Sequence, residues 1–284
     1  MNNNKIFDYE LIDCGDEIRT ERFGDRIITR SCPMAIWSST TRDGLDRKPD
    51  ARFIRNETEK KWQKGNDMTD SWNISVGSLK AELRFSSNGQ VGIFPEQYEN
   101  WKWIAAQVAK RSKKPLKILN LFAYTGMATL HAIAPHTEVC HVDGAKSAIS
   151  WAKRNAELSG LADANVRWIC DDVMKFMERE IRRGQKYDAI IIDPPAFGRG
   201  GGQIWKIEKD LARLMLAVKE LLVDDPAFVA LSCHAPRHFS SFDMAQLLEQ
   251  LPQFKGIKAE AIRLKIPSKL GNPLVASFGA RIMG

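Results

Sequence analysis

The chain predicts an α/β fold: a mostly parallel sheet covered by helices on both faces, preceded by a small β-rich or α+β module. Two observations carry the main prediction. After residue 100, short apolar runs alternate with amphipathic helical stretches. One of those runs, Lys117-Ile118-Leu119-Asn120-Leu121, enters a turn of small residues and then a helix-like segment from Met127 to Ala132. A third observation separates the front: before residue 100 the pattern is short strands and turns. The division predicted is 1–97 for the front module and 98–284 for the larger domain.

Each element follows from local pattern. In the front, 26–29 and 72–76 have β-type composition, and 79–85 alternates apolar with polar residues. Asn88-Gly89 then predicts a hairpin with a return strand over 90–94. Residues 41–70 read as a polar, charge-rich loop. Strands are predicted at 116–121, 138–142, 166–170, 189–192 and 228–232. Helices are predicted at 101–111, 145–158, 173–183, 207–222 and 241–250. The tail segments 261–264 and 275–278 predict an antiparallel pair at one sheet edge.

Composition bounds the function. A chain of 284 residues with 44% hydrophobic and 27% charged residues can bury a real core. The polar start, Met1-Asn2-Asn3-Asn4-Lys5, lacks an apolar signal core, and no apolar run approaches membrane-spanning length. The five cysteines are scattered without a C-x-x-C pair, which argues against a zinc site or a disulfide framework. A cytoplasmic home, no membrane and no metal are the resulting expectations. The net charge of +7 favours a polyanionic partner through phosphate contacts, and so RNA or DNA. Basic residues cluster at Lys110, Arg111, Lys113, Lys114 and Lys117, and at Arg179, Arg182, Arg183 and Lys186. Solvated helix ends and loops are the alternative reading of both.

Ligands of such sheets bind at the carboxyl ends of the strands, and the candidate motifs fall there. The Asn120–Gly126 turn offers Asn120, Phe122, Ala123, Tyr124 and Gly126 for close backbone approach. Asp143, roughly 20 residues on, stands where a ribose-binding carboxylate is expected, with Gly144 beside it. Helix capping is its alternative role. Asp171-Asp172-Val173 could take an adenine amino group, Val173 covering the ring; capping is again the alternative. Asp193-Pro194-Pro195 follows three isoleucines, so two rigid residues hold a carboxylate at a strand tip. The Gly198–Gly202 run suggests mobility or close approach to substrate. Cys233 follows the strand at 228–232 and is a candidate nucleophile, or simply a buried thiol. The usual G-x-G-x-x-G is absent. That favours an adenosine ligand without a pyrophosphate, S-adenosylmethionine foremost.

These motifs together resemble the class I S-adenosylmethionine-dependent methyltransferases related to bacterial 23S ribosomal RNA cytosine carbon-5 methyltransferases. The resemblance rests on Asn120-Leu121-Phe122-Ala123-Tyr124-Thr125-Gly126, on Asp143 with Ala148, Ala152 and Asn155, on Asp172-Val173, and on Asp193-Pro194-Pro195-Ala196-Phe197. It implies a Rossmann-like fold with a seven-stranded sheet and S-adenosylmethionine as cofactor. The Asn120–Gly126 loop would line the methionine part, Asp143 would hold the ribose, and Asp172, or else Asp171, the adenine. Asp193 and Pro194 would face the methyl group and the base, and Cys233 would be the nucleophile. Phe94-Pro95-Glu96-Gln97 resembles a segment that closes over the site. Ribosomal RNA is the implied partner. Methylation of another target (a base nitrogen, a protein or a small molecule) is one alternative. A non-catalytic RNA-binding protein with a vestigial fold is the other.

Overall fold

The structure, a computed structural model, describes residues 7–40, 48–55, 59–200, 203–234 and 239–284. The polar start, parts of the 41–70 loop, Gly201 and Gly202 lie outside them. Two compact units emerge. One comprises 1–96, 157–160 and 265–276; the other comprises 97–156, 161–264 and 277–284.

The first unit is built from β1 (Tyr9–Gly15), β2 (Ile18–Phe23), β3 (Arg26–Ser31), β4 (Ala51–Arg55) and β5 (Lys60–Lys64), which form one sheet in that order. A separate ribbon pairs β6 (Ser71–Val76) with β7 (Leu79–Arg84). Its tight turns follow from backbone freedom. Asp16 and Glu17 both take positive φ between β1 and β2, and Gly77 has φ 64° between β6 and β7. Two-residue hairpins need such angles. Buried Glu21 fastens the first sheet, accepting from Arg30 at 2.6 and 3.1 Å and from the Tyr9 hydroxyl at 2.9 Å.

Two front-end expectations are corrected. Residues 90–94 are not a strand: β7 pairs backward with β6, in the register Val76↔Leu79. The Gly77-Ser78 turn is as strong a hairpin signal as Asn88-Gly89 and acts first. The later turn is tied by Ser86 N–H to Gln90 O (3.0 Å) and Arg84 N–H to Val91 O (3.2 Å), without a ladder. The 41–70 segment holds β4 and β5, because Phe53 and Trp62 pair across the ladder and pack their rings at 5.2 Å.

The second unit carries α1 (Tyr98–Lys110), β8 (Leu116–Leu121), α2 (Met127–His131), β9 (Thr137–Asp143), α3 (Lys146–Leu158), β10 (Val166–Cys170), α4 (Val173–Arg182) and β11 (Ala189–Ile192). It continues with a hairpin of β12 (Phe197–Gly200) and β13 (Gln203–Lys206). Then follow α5 (Ile207–Leu221), β14 (Phe228–Cys233), α6 (Ser241–Glu249), β15 (Glu260–Ile266) and β16 (Leu274–Met283). The seven-stranded sheet has the order β10-β9-β8-β11-β14-β16-β15. Five strands run parallel, and β16 is antiparallel to β14. The expected tail pair is therefore present at the edge.

Period-two alternation sorts the core. Ile190, Ile192, Val229, Leu231 and Cys233 pack in one cluster with helices α4, α5 and α6. Ala189, Ile191 and Phe228 pack in another with Ile104 and Val108 of α1. A strand buried on both faces reads as a continuous apolar run, as Ala189-Ile190-Ile191-Ile192 does. Asp172 caps α4 and the Ser240/Asp243 capping box starts α6.

The parallel registers set strand ends level. Leu121 is opposite Val142 and Ile192, Asp143 is opposite Cys170, and Ile192 is opposite Leu231. The strand order reverses between β8 and β11, which opens a crevice beside their carboxyl ends. Gly126 shapes that crevice: its φ is 87°, and a Cβ there would meet the Ala152 Cβ at 2.9 Å. Gly126→Ala is expected to cost about 1–3 kcal/mol through backbone strain and collision. Urea denaturation checks this; a midpoint and slope equal to wild type would contradict it.

Candidate active site at the carboxyl rim of the sheet

Four loops meet at this rim. After β8, Phe122 (φ 56°) and Tyr124 (φ 48°) take left-handed backbone angles that bulky residues rarely adopt. Such outliers persist only where their surroundings enforce them. Here the Tyr124 N–H donates to Asp143 Oδ2 at 2.9 Å, and Asn155 Nδ2 donates to Thr125 O at 2.9 Å. Asn120 is buried below the loop, donating to Thr129 Oγ1 at 2.8 Å; Thr129 Oγ1 also meets His141 Nδ1 at 2.8 Å. Burial pushes the His141 imidazole down to about 3, so it is neutral. Asn120 thus supports the loop from within. Ala123 and Gly126 are buried beside it.

Asp143 ends β9 and joins two loops. Its Oδ2 takes the Tyr124 N–H and its Oδ1 takes the Ala145 N–H at 2.8 Å. The capping role weighed from the sequence is thus real, and it leaves further lone pairs on each oxygen. Burial raises the carboxyl pKa above its ordinary value, opposed by the Ala145 and Tyr124 N–H groups. Gly144 is exposed, and a Cβ there would find only Asp171 O, at 3.8 Å. The Asp171 N–H donates to Asp143 O at 3.0 Å, which brings the β10 end alongside.

Asp171 and Asp172 both have structural partners. Asp171 forms an ion pair with Arg179 and accepts from the Asp172 N–H at 2.8 Å. Asp172 Oδ1 accepts from the Lys175 N–H at 3.0 Å as the α4 cap. Val173 is buried in the core cluster at the first turn of α4.

The β11 tip carries Asp193, followed by buried Pro194 and exposed Pro195. Ser232 Oγ donates to Asp193 Oδ1 at 2.7 Å, and Gln97 Nε2 donates to Oδ2 at 3.2 Å. Gln97 Nε2 also reaches Ser232 Oγ at 3.0 Å. An aromatic group flanks this loop. Trp205 Nε1 donates to Pro195 O at 2.7 Å, its ring lies 4.9 Å from that of Phe122, and Phe197 is 51% exposed.

Cys233 sits otherwise than a cleft residue. Its side chain shares the row of Val229 and Leu231, is fully buried, and lies 3.6 Å from His234 O. Burial, with the charges of Asp193 and Glu208, pushes the thiol up to about 12, so it is protonated at neutral pH. Its neighbour Ser232, on the opposite face of β14, is the residue that touches Asp193. Sequence reasoning missed Ser232. Alternation along 228–233 was the available signal, because it puts Cys233 in register with Val229 and Leu231.

Charge is distributed differently from the rim. Lys110 to Lys114 precede β8 and Lys117 is its second residue, while Arg183 and Lys186 precede β11, at the amino ends of these parallel strands. The Lys117 N–H donates to Asp188 Oδ2 at 2.7 Å there. Arg179 is the member of the two clusters that binds a rim carboxylate. Among the described residues no group of three His, Cys, Asp or Glu could hold a metal, and no helix is long and apolar enough to cross a membrane.

This sheet order with a ligand rim of carboxylates defines a Rossmann-like methyltransferase fold. A family model described as S-adenosylmethionine-dependent methyltransferase matches residues 31–258, and the chain belongs to that family. The crystal structure of the SAM-dependent methyltransferase from Agrobacterium tumefaciens superposes with a TM-score of 0.89 at 34% identity, covering 97% of this chain and 90% of that one. Ribosomal RNA large subunit methyltransferase I of Aeromonas salmonicida is 26% identical over 202 residues, 66% of this chain and 50% of its own length. Ribosomal RNA large subunit methyltransferase K of Neisseria meningitidis serogroup B is 27% identical over 182 residues, 61% of this chain and 49% of its own. The chain therefore spans about half the length of these curated relatives.

The donor set fits S-adenosylmethionine: Asp143 retains acceptor capacity for hydroxyl groups beside the Phe122–Gly126 loop. If Asp143 holds the ribose, protonating it removes acceptors. Its folded pKa is raised, so cofactor affinity is expected to fall as pH drops through a midpoint above the ordinary aspartate value of about 3.9. Calorimetric titration across pH checks this; affinity flat down to that value would contradict it. Asp143→Ala should weaken binding by about 1–3 kcal/mol at neutral pH.

Proposed function

We propose that the protein transfers a methyl group from S-adenosylmethionine to ribosomal RNA, at carbon 5 of a cytosine. The observation that carries the methyl-transfer reading is the meeting of Asp143 and the Phe122–Gly126 loop with Asp171-Asp172 and Asp193 at one sheet rim. The names of the curated relatives support the RNA target, and so does exposed Phe197, which follows the Asp193-Pro194-Pro195 loop and on which a base could stack. The basic clusters at the opposite rim lend this target no support.

S-adenosylmethionine, when bound, supplies an electrophilic methyl group on a sulfonium. Asp143 would accept the ribose hydroxyls, and Asp172 would use its second oxygen for the adenine amino group, with Asp171 the substitute. Asp193, steadied by Pro194, would accept a hydrogen bond from a protonated ring nitrogen of the target base. A base within a helix must first be flipped out. Cys233 would add to carbon 6 and make carbon 5 nucleophilic; once carbon 5 carries the methyl group, loss of its proton to a base would expel the thiolate from carbon 6. The addition requires the thiol to lose its proton and its apolar cover when the target base enters.

The buried, protonated Cys233 favours a second reading: methylation of an exocyclic amino nitrogen, with Asp193 as acceptor and no covalent step. Incubation with labelled cofactor and undermethylated ribosomal RNA, followed by nucleoside analysis, separates the two. The cytosine reading expects label in 5-methylcytidine and its complete loss in Cys233→Ala, with cofactor affinity unchanged. Label in an N-methylated nucleoside, or full transfer by Cys233→Ala, would overturn it.

A further inference from the structure

The donors that hold Asp193 belong to a longer buried chain of hydrogen bonds. Arg281, on β16, donates from Nε and Nη2 to Asn100 Oδ1 at 2.7 and 2.5 Å. Asn100 Nδ2 donates to Gln97 Oε1 at 2.6 Å. Gln97 Nε2 donates to Ser232 Oγ and Asp193 Oδ2, and Ser232 Oγ donates to Asp193 Oδ1. Arg281, Asn100, Gln97 and Ser232 are all buried.

The chain has a direction set by chemistry. A guanidinium has only donors, so it admits only the oxygen of the Asn100 amide. That forces the Asn100 nitrogen towards Gln97 and the Gln97 oxygen towards Asn100. The Gln97 nitrogen must then face Ser232 and Asp193. A permanent cation at one end thus ensures that a carboxylate at the other meets donors on both oxygens. Turning either amide over would set donor against donor or oxygen against carboxylate. Such buried networks are costly when half satisfied, which makes one orientation dominant.

We propose that Asn100 and Arg281 are positioning residues. They fix the Gln97 amide and, through it, the orientation of the Asp193 carboxylate for methyl transfer. The catalytic part of this proposal rests on the reading of Asp193 as a group at the reacting centre. Asn100 is the informative site. Asn100→Asp keeps the side-chain shape and the Arg281 contact but removes the donor to Gln97. The amide can then turn, and misplacing a positioned group by about 1 Å costs up to about 100-fold in rate.

Three measurements on the full chain test it. In the first, selectively labelled Gln97 side-chain amide protons are followed by NMR hydrogen exchange. They are expected to be slow in wild type and fast in Asn100→Asp. In the second, kcat of Asn100→Asp is expected to fall about 10–100-fold, with the dissociation constant of S-adenosylhomocysteine unchanged. In the third, Gln97→Glu sets a second carboxyl beside Asp193 and donates only when protonated. Its activity is expected to rise as pH falls, against the wild-type profile. Fast Gln97 exchange in wild type, exchange unaltered by Asn100→Asp, or a Gln97→Glu profile parallel to wild type would overturn the proposal. Absence of transfer by the wild-type control would reject the functional reading instead, and the exchange arm would still decide whether Asn100 fixes Gln97.

Discussion

The site depends on the level parallel registry of β8 with β9 and β11. Because Leu121, Val142 and Ile192 stand opposite one another, the loops that follow them emerge at one height. Hydrogen bonds then turn adjacency into a site. One carboxylate, Asp143, accepts an N–H from the β8 loop and another from the start of its own helix. The strained backbone at Phe122 and Tyr124 is held by that contact. Remove the registry and these groups have no reason to converge.

Two carboxylates at the rim are held in contrasting ways. Asp143 is bound by backbone N–H groups, which cannot turn over and whose geometry the sheet dictates. Asp193 is bound by side chains, Ser232 and Gln97, whose orientations need their own support. That need explains why buried polar residues from α1 and β16 sit beneath the β11 tip. Buried polar groups without partners are expensive, and here each amide satisfies the next. A carboxylate fixed by backbone suits steady binding of a cofactor. One fixed by a side-chain network can be tuned by single substitutions.

Much of the α/β unit was legible from sequence. Strands 116–121, 166–170 and 189–192 coincide with β8, β10 and β11: β8 and β11 are buried parallel strands that read as apolar runs, while the half-buried edge strand β10 is marked out by the helical stretches on either side. The strand-end positions of Asp143, Asp172 and Asp193 followed from the same pattern. The front was less legible. Asp16-Glu17 is not an obvious turn, yet both residues adopt positive φ, and β1 and β2 were missed with it. In the site, Cys233 drew notice through its chemistry, whereas the alternation of β14 points it inward with Val229 and Leu231. Gln97 lay in a segment noted only for its resemblance, Asn100 stands three residues on without a motif of its own, and Arg281 is 181 residues beyond Asn100. Only the folded chain brings them onto one line.

The central claim is that loops from separate strands form a single cofactor site at the carboxyl rim. The most direct measurement is backbone hydrogen exchange with and without S-adenosylhomocysteine. Protection is expected together at 122–126, 143–145, 171–173 and the amides of Asp193 and Ala196, with residues 111–117 and 183–188 at the opposite rim unchanged. Protection centred on that opposite rim, or on one of the four loops alone, would contradict the account.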